Sequence, residues 1–341
     1  MSPLNDNLKI SVIIPTYNRV DTIINCLNSI LNQSYKVNEI IIVDDCSTDN
    51  TIKVLKQVNN ASLKIIQNPT NLGAQKSRNI GIESAANDWI AFLDADDTWL
   101  PEKIEKQIQL IEKYYNHYPW IAIQSNCLRN ENNTIKKWGL NTYTDGNFYE
   151  EILCKPGPMF QGLLTTKKAL EKIGYLDESI ISFQEWDTNI MLAKYCKFFW
   201  TNDFLFNYNL NNTGSEFRSN KRSIEGRLQI LNKNKKEIKH HHNNKFYKLI
   251  YIIIKDCFFS GLHDLGEKTL FEYKNNINVI DKLKLWLISI FNISEHKWNL
   301  LKYFVSNPWY GLKHMIKSIT KDSYSQILCF LHFQIFQNYT F

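Results

Sequence analysis

The sequence predicts an α/β protein, with a mostly parallel central sheet, helices on both faces and a helical region after it. Three observations carry that expectation. Strands and helices alternate in the first third at the roughly 30-residue spacing of βαβ units. The strand runs KISVII, EIIIV and WIAFL are nearly continuous in apolar residues rather than alternating, as in strands buried on both faces. Polar clusters follow three of these strand ends, where open α/β sheets bind ligands.

The elements follow in order. Lys9–Ile14 reads as a β-branched strand ended by Pro15, and Thr22–Gln33 as a helix through Ile23, Leu27, Ile30 and Leu31. Glu39–Val43 is the second strand, stopped by Asp44 and Asp45. Thr51–Val58 is a short helix, Leu63–Gln67 a strand, and Asn68-Pro69 a turn. Residues 74–86 form a helix, Trp89–Leu93 a strand, and Glu102–Tyr115 a helix behind Pro101. From about residue 216 the texture changes to amphipathic helices at Ile224–Ile238, Phe246–Phe259, Lys282–Phe291 and Leu300–Phe304. The uncharged end, Ser323–Phe341, is expected to pack on the body of the protein.

The 341 residues suggest two domains, placed at 1–215 and 216–341. With 44% hydrophobic and 22% charged residues, disorder, collagen and disulfide mini-proteins are excluded. No apolar run reaches spanning length, and MSPLNDNLK lacks the apolar core of a secretory signal. Seven scattered cysteines without a Cys-x-x-Cys pair fit free thiols in a reducing cytosol. A cytoplasmic location is therefore expected, with a peripheral position on the inner face of the cell membrane as its extension. Residues 1–215 hold 20 basic and 24 acidic side chains, whereas 216–341 hold 20 and 10. The basic C-terminal region suits contact with anionic membrane. No recognised reader motif accompanies that charge, so no nucleic-acid partner is expected. His240-His241-His242 lies in a Lys- and Asn-rich stretch and reads as solvated linker.

Asp94, Asp96 and Asp97 follow the WIAFL strand within four residues. Carboxylates so close repel one another, and a divalent cation stabilises them together. Oxygen donors without Cys or His suit Mg²⁺ or Mn²⁺, bound jointly with substrate phosphates. Capping of the next helix by Asp97 or Thr98 explains one acidic residue but not three. There is no G-x-x-x-x-G-K-[ST] loop and no G-x-G-x-x-G after the first strand. Diphosphate charge must then be met by the cation and by Arg19, Lys76 and Arg78. Asp44 and Asp45 can accept hydrogen bonds from a base N–H or a ribose hydroxyl.

At these residues the chain resembles the family 2 glycosyltransferases of the GT-A (nucleotide-diphospho-sugar transferase) fold. The matching runs are ISVIIPTYNR, IIIVDDCSTDNT, NLGAQKSRNIGI and WIAFLDADDTWLPEKI, in the family's order. QGLLTTKKALEKIGYLDE and FQEWDTNIMLAKYCKF resemble its acceptor-side segments. The resemblance covers about residues 9–215. It implies that Pro15, Thr16, Tyr17 and Arg19 line a nucleotide pocket, that Asp45 contacts the base, commonly uracil, and that Arg78 binds donor. Asp94-Ala95-Asp96 becomes the D-x-D motif, with Asp96 on the metal and Asp94 on ribose or metal. Glu185 becomes the general base of an inverting transfer, with Asp187 as the other candidate because Gln184-Glu185 departs from the family's acidic pair. A Glu beside Trp186 has the setting in which a carboxyl pKa rises, as a base needs.

The expected partners are a nucleotide-diphospho-sugar donor and a glycan or lipid-linked acceptor in cell-surface polysaccharide synthesis. A sugar nucleotidyltransferase is the enzymatic rival, but Pro15-Thr16-Tyr17-Asn18-Arg19 stands where its Gly-rich loop would be. A non-catalytic nucleotide-sugar-binding or membrane-tethering module is the other, and it has no need of Asp94, Asp96 and Glu185 together.

Overall fold

The structure is a computed structural model that describes residues 8–118, 120–131, 134–139, 145–210, 220–290 and 298. The helices expected at Leu300–Phe304 and the segment Ser323–Phe341 lie outside them. The first half runs β1 (Ile10–Thr16), α1 (Ile23–Leu31), β2 (Glu39–Asp44), α2 (Thr51–Leu55), β3 (Leu63–Gln67), α3 (Ala74–Ser84), β4 (Trp89–Phe92), β5 (Thr98–Trp99) and α4 (Lys103–Tyr114). Then come β6 (Ile121–Glu131), β7 (Thr134–Trp138), α5 (Tyr149–Ile152), β8 (Leu164–Thr166), α6 (Lys167–Lys172), α7 (Gln184–Ala193) and β9 (Lys197–Asn209).

The sheet has the order β3-β2-β1-β4-β8-β6-β9-β5, with β7 paired to β6. It is parallel from β3 to β4, and β6 and β9 are parallel too, whereas β8 runs antiparallel between β4 and β6. Apolar periodicity explains the packing. Helix α1 buries Ile23, Cys26, Leu27 and Ile30, one face of a 3.6-residue repeat. Ile10, Val12 and Ile14 of β1 and Ile40 and Ile42 of β2 meet α1 in the main core.

Pro15 does not end β1, which continues to Thr16. Strand β4 pairs only with Ile10–Ile13, so Pro15 faces a single neighbouring strand, β2, and its missing N–H leaves no gap on the other side. Neither Asp97 nor Thr98 caps the helix behind them. Helix α4 starts at Lys103, its N-cap is Glu102, and Thr98 belongs to β5.

Lys103 is fully buried in α4, its Nζ 2.8 Å from Gln107 Oε1 and 4.0 Å above the Trp99 ring. Burial holds its ammonium pKa well below the ordinary lysine value. A depressed folded-state pKa gives stability that is full above the unfolded pKa and lost as pH falls. At neutral pH Lys103 is therefore a cost. Lys103→Met is expected to unfold at equal or higher urea than the parent at pH 7, with its advantage shrinking as pH rises towards 10.5, the ordinary value. A variant less stable at pH 7 contradicts this.

The chain divides into two compact units, 1–243 and 244–341. Helix α8 (Asn220–Lys233) lies in the first unit. The helix expected over Ile224–Ile238 is divided at Asn234 into α8 and α9 (Lys235–Phe259), although helical hydrogen bonds run through that residue, from its N–H to the Ile230 carbonyl at 3.0 Å and from the Ile238 N–H to its carbonyl at 2.9 Å. Helix α9 itself breaks at His242 (φ −146°, ψ 51°). In the second unit Phe246, Ile250, Ile254 and Cys257 of α9 are buried, as are Tyr273 of α10 (His263–Tyr273) and Leu285 of α11 (Val279–Ile290). No described helix is long and apolar enough to cross a membrane.

Candidate active site

A cleft of about 560 Å³ opens where the loops after β1, β2 and β4 converge with the start of α3, the turn at Phe160–Gly162, the start of α7 and the end of β9. Pro15, Thr16, Tyr17, Arg19, Asp45, Arg78, Asp94, Ala95, Asp96 and Glu185 all line it. Widely spaced runs of the sequence thus meet at one place, the C-terminal edge of the parallel strands.

The loop after β1 is tied to the one after β2. Asn18 adopts the left-handed region (φ 51°) that Asn tolerates. Its N–H donates to Ser47 Oγ at 2.9 Å, and its Oδ1 accepts the Thr48 N–H at 2.8 Å. This sets Arg19, whose Nη2 stands 3.4 Å from Asp96 Oδ2. Asp45 is buried, accepting from Asn68 Nδ2 and Leu72 N at 2.8 Å and from Gly73 N at 2.7 Å. Gly73 (φ 90°) enters α3 in a conformation that L side chains rarely adopt. Arg78 follows in α3, nearly buried, with Nη2 2.6 Å from Asp94 Oδ1 and its guanidinium 4.6 Å over the Phe160 ring.

Gln161 joins the acidic cluster from across the sheet. Its Nε2 donates to Asp94 Oδ2 at 2.8 Å and to Asp97 Oδ2 at 2.6 Å. Asp97 also accepts the Asn209 N–H at 2.8 Å. Burial, and then the charges of Asp96 and Asp94, push the Asp97 carboxyl well above the ordinary carboxylate range. The Tyr208 phenol is pushed up by burial and by Asp97, Glu185, Asp94 and Asp96, so at neutral pH it keeps its proton and can donate. Gln161, Tyr208 and Asn209 were not singled out as site residues from the sequence; only Gln161 falls in a segment whose resemblance pointed at the site.

Residues 11–173 match the sequence pattern of Glycosyl transferase family 2. Those residues are just under half of the chain, and over them it is similar to the family 2 glycosyltransferases. Over 115 residues it is 40% identical to the UDP-Glc:alpha-D-GlcNAc-diphosphoundecaprenol beta-1,3-glucosyltransferase WfaP of Escherichia coli, covering 32% of this chain and 46% of that one. It is 39% identical over 111 residues to the amylovoran biosynthesis glycosyltransferase AmsB of Erwinia amylovora, covering 31% and 37%. The chain thus spans less than half the length of each. Among solved structures, S. aureus TarS 1-349 in complex with UDP-GlcNAc superposes with a TM-score of 0.55 at 18% identity, covering 84% of this chain and 80% of that one. The mannosyltransferase PcManGT from Pyrobaculum calidifontis, in complex with GDP-Man and Mn2+, gives 0.57 at 15%, covering 91% and 89%. The fold is GT-A, as the resemblance implied.

Three of the expected residues stand outside the cleft lining. Asp44 is fully buried at the end of β2, and its Oδ2 accepts the Ser47 N–H at 3.1 Å. Lys76 pairs with Glu178 at 3.1 Å. Asp187 is buried and pairs with Lys233 at 2.8 Å. A two-residue step along a helix turns by about 200°, so Glu185 and Asp187 cannot share one face of α7. Trp186, between them, sends its indole N–H to the Ile152 carbonyl at 2.7 Å.

The acidic pair fits a divalent cation. Asp94 and Asp96 offer hard carboxylate oxygens to the cleft, with side chains 31% and 20% exposed. The upward push they give Asp97 is a sign of concentrated negative charge, which a dication offsets. No described group of three His, Cys, Asp or Glu side chains forms a metal cage. One or two carboxylates completed by phosphate oxygens form the other common type of Mg²⁺ site.

Proposed function

We propose that the protein is a metal-dependent inverting glycosyltransferase that moves a sugar from a nucleotide-diphosphate donor, UDP for preference, to a hydroxyl of a glycan or lipid-linked acceptor in cell-surface polysaccharide synthesis. One observation carries this: Arg19, Arg78, Asp94 and Asp96 line the same cleft as Glu185, with cations for a diphosphate and a carboxylate for a hydroxyl proton. The relatives named for polysaccharide and lipid-linked glycan synthesis support the acceptor class.

Each residue then has a task. Thr16, Tyr17 and Asp45 border the nucleotide, and the hydrogen bonds to Asp45 fix its carboxylate before any ligand arrives. Arg78 and Arg19 sit where charge grows on the departing diphosphate. A bound Mg²⁺ or Mn²⁺, held by Asp96 with Asp94 beside it, would act as a Lewis acid on the same phosphate oxygens. Glu185 takes the proton of the acceptor hydroxyl, whose oxygen attacks the anomeric carbon opposite the leaving diphosphate. The configuration inverts in this single displacement. The protein would work at the cytoplasmic face of the membrane, its basic C-terminal region against anionic lipid.

A thermal-shift panel tests this. UDP-, GDP- and dTDP-sugars, each with and without Mn²⁺, should raise the melting temperature most for one nucleotide, and by more with the ion than without it. Equal melting curves throughout would refute the proposal.

A further inference from the structure

Helix α8 presents a single stripe to the segment that leads into α7. Arg222, Gly226, Gln229 and Lys233 are spaced four, three and four residues apart, the repeat of one helical face. Arg222 Nε donates to the Ile181 carbonyl at 2.8 Å. Gln229 takes the Ile181 N–H on Oε1 at 3.2 Å and donates from Nε2 to the Ser179 carbonyl at 2.8 Å. Lys233 Nζ bridges Asp177 at 2.6 Å and Asp187 at 2.8 Å. Gly226 lies so close to Ser182 that a Cβ there would stand 2.7 Å from the Ser182 Cβ and 2.8 Å from its carbonyl oxygen.

The segment so gripped is followed at once by Phe183, a bulky residue at φ 57°. A side chain of that kind holds a left-handed conformation only where its surroundings over-determine it. Phe183 is the N-cap of α7, and Ser182, Phe183, Gln184 and Glu185 all line the cleft. The backbone of residues 177–182 therefore decides where the Glu185 carboxylate stands.

We propose that α8 is a positioning element of the transfer site: its Arg222–Lys233 stripe holds residues 177–182 and, through the Phe183 turn, aims Glu185 at the acceptor hydroxyl. This role rests on the transfer chemistry proposed above. Lys233 matters twice, since it also joins the buried Asp187 of α7 to Asp177 of the loop. The α8 residues act through Glu185 and touch no substrate.

Gly226→Ala is the decisive variant. Alanine favours the helix itself, so α8 is not weakened, while the new methyl displaces Ser182. The experiment measures UDP binding by calorimetry and sugar transfer from the UDP-sugar that the thermal-shift panel selects, onto a synthetic GlcNAc-diphosphate lipid. Gly226→Ala should bind UDP within about twofold of the parent and lose about tenfold or more in kcat, because displacements of about an ångström have effects of up to about 10²-fold. Gln229→Ala should act in the same direction by removing the grip instead of crowding it. In a Glu185→Gln background neither substitution should lower the residual rate further, whereas a general packing defect would be additive. Full transfer by both single variants, or additive losses, overturns the positioning role even if Glu185→Gln is inactive. If the parent transfers no sugar, or Glu185→Gln keeps the full rate, the transfer chemistry itself fails and the positioning role falls with it.

Discussion

Glu185→Gln is expected to bind UDP as the parent does and to lose about 10²- to 10⁴-fold in kcat, the range for removing a general base. The two side chains are nearly isosteric, so the first turn of α7 and the Phe183 cap need not move. Glutamine cannot accept a proton, and the acceptor hydroxyl must then attack without help. The groups proposed to bind the donor lie on other elements: Arg19 after β1, Asp45 after β2, Arg78 on α3 and Asp96 after β4. The loss should consequently fall on kcat and leave nucleotide affinity within about twofold. Asp187→Asn provides the contrast. Its parent carboxylate is paired with Lys233 outside the cleft, so Asp187→Asn should keep the acidic limb of the pH–rate profile, the fall in rate as the base is protonated, that Glu185→Gln abolishes. A dead Asp187→Asn enzyme beside an active Glu185→Gln one would exchange the two assignments.

Asp96→Ala is expected to abolish the Mn²⁺-dependent part of the thermal shift given by UDP and to lower transfer about 10²- to 10³-fold, as loss of one preorganised electrostatic group does. Asp96 lines the cleft, is 20% exposed and stands 3.4 Å from the Arg19 guanidinium, so its carboxylate is within reach of a cation in the cleft. Asp94 is different. Both of its oxygens are engaged, by Arg78 at 2.6 Å and Gln161 at 2.8 Å, which suits a carboxylate that orients its neighbours. Removing Asp96 also leaves Arg19 without that partner, and nucleotide binding in the absence of the ion should hold or strengthen. Calorimetry with UDP, with and without Mn²⁺, measures both effects. An unchanged ion dependence in Asp96→Ala would remove this residue from the metal.

The parallel half of the fold was legible because its strands are short apolar runs separated by helices with their own periodicity. Leu63–Gln67 was placed to the residue, and the strands and helices on either side to within a few residues. Pro15 misled by its residue type. Proline lacks an N–H but does not end a strand that has lost one neighbour. Residue type alone does not separate Asp44 from Asp45, although the resemblance pointed to Asp45; the structure buries Asp44 at the end of β2, and only Asp45, in the loop after it, lines the cleft. Glu185 and Asp187 were divided by helical phase, and the direction of that phase depends on the turn at Phe183.

What the chain determined by itself was local: which segments are strands, which carboxylates cluster behind them, and hence that acidic and basic groups crowd one sheet edge. Tertiary structure decided the partners of those groups. The antiparallel register that sets Ala91 against Leu164, continued along both chains, brings Gln161 to Asp94. The register that sets Thr98 against Asn207 likewise brings Asn209 to Asp96 and Asp97. Pairing between strands so far apart along the chain follows from how the whole core closes, and no single segment encodes it. The grip of α8 on residues 177–182 is of the same kind, since its stripe has meaning only once the other surface is in place.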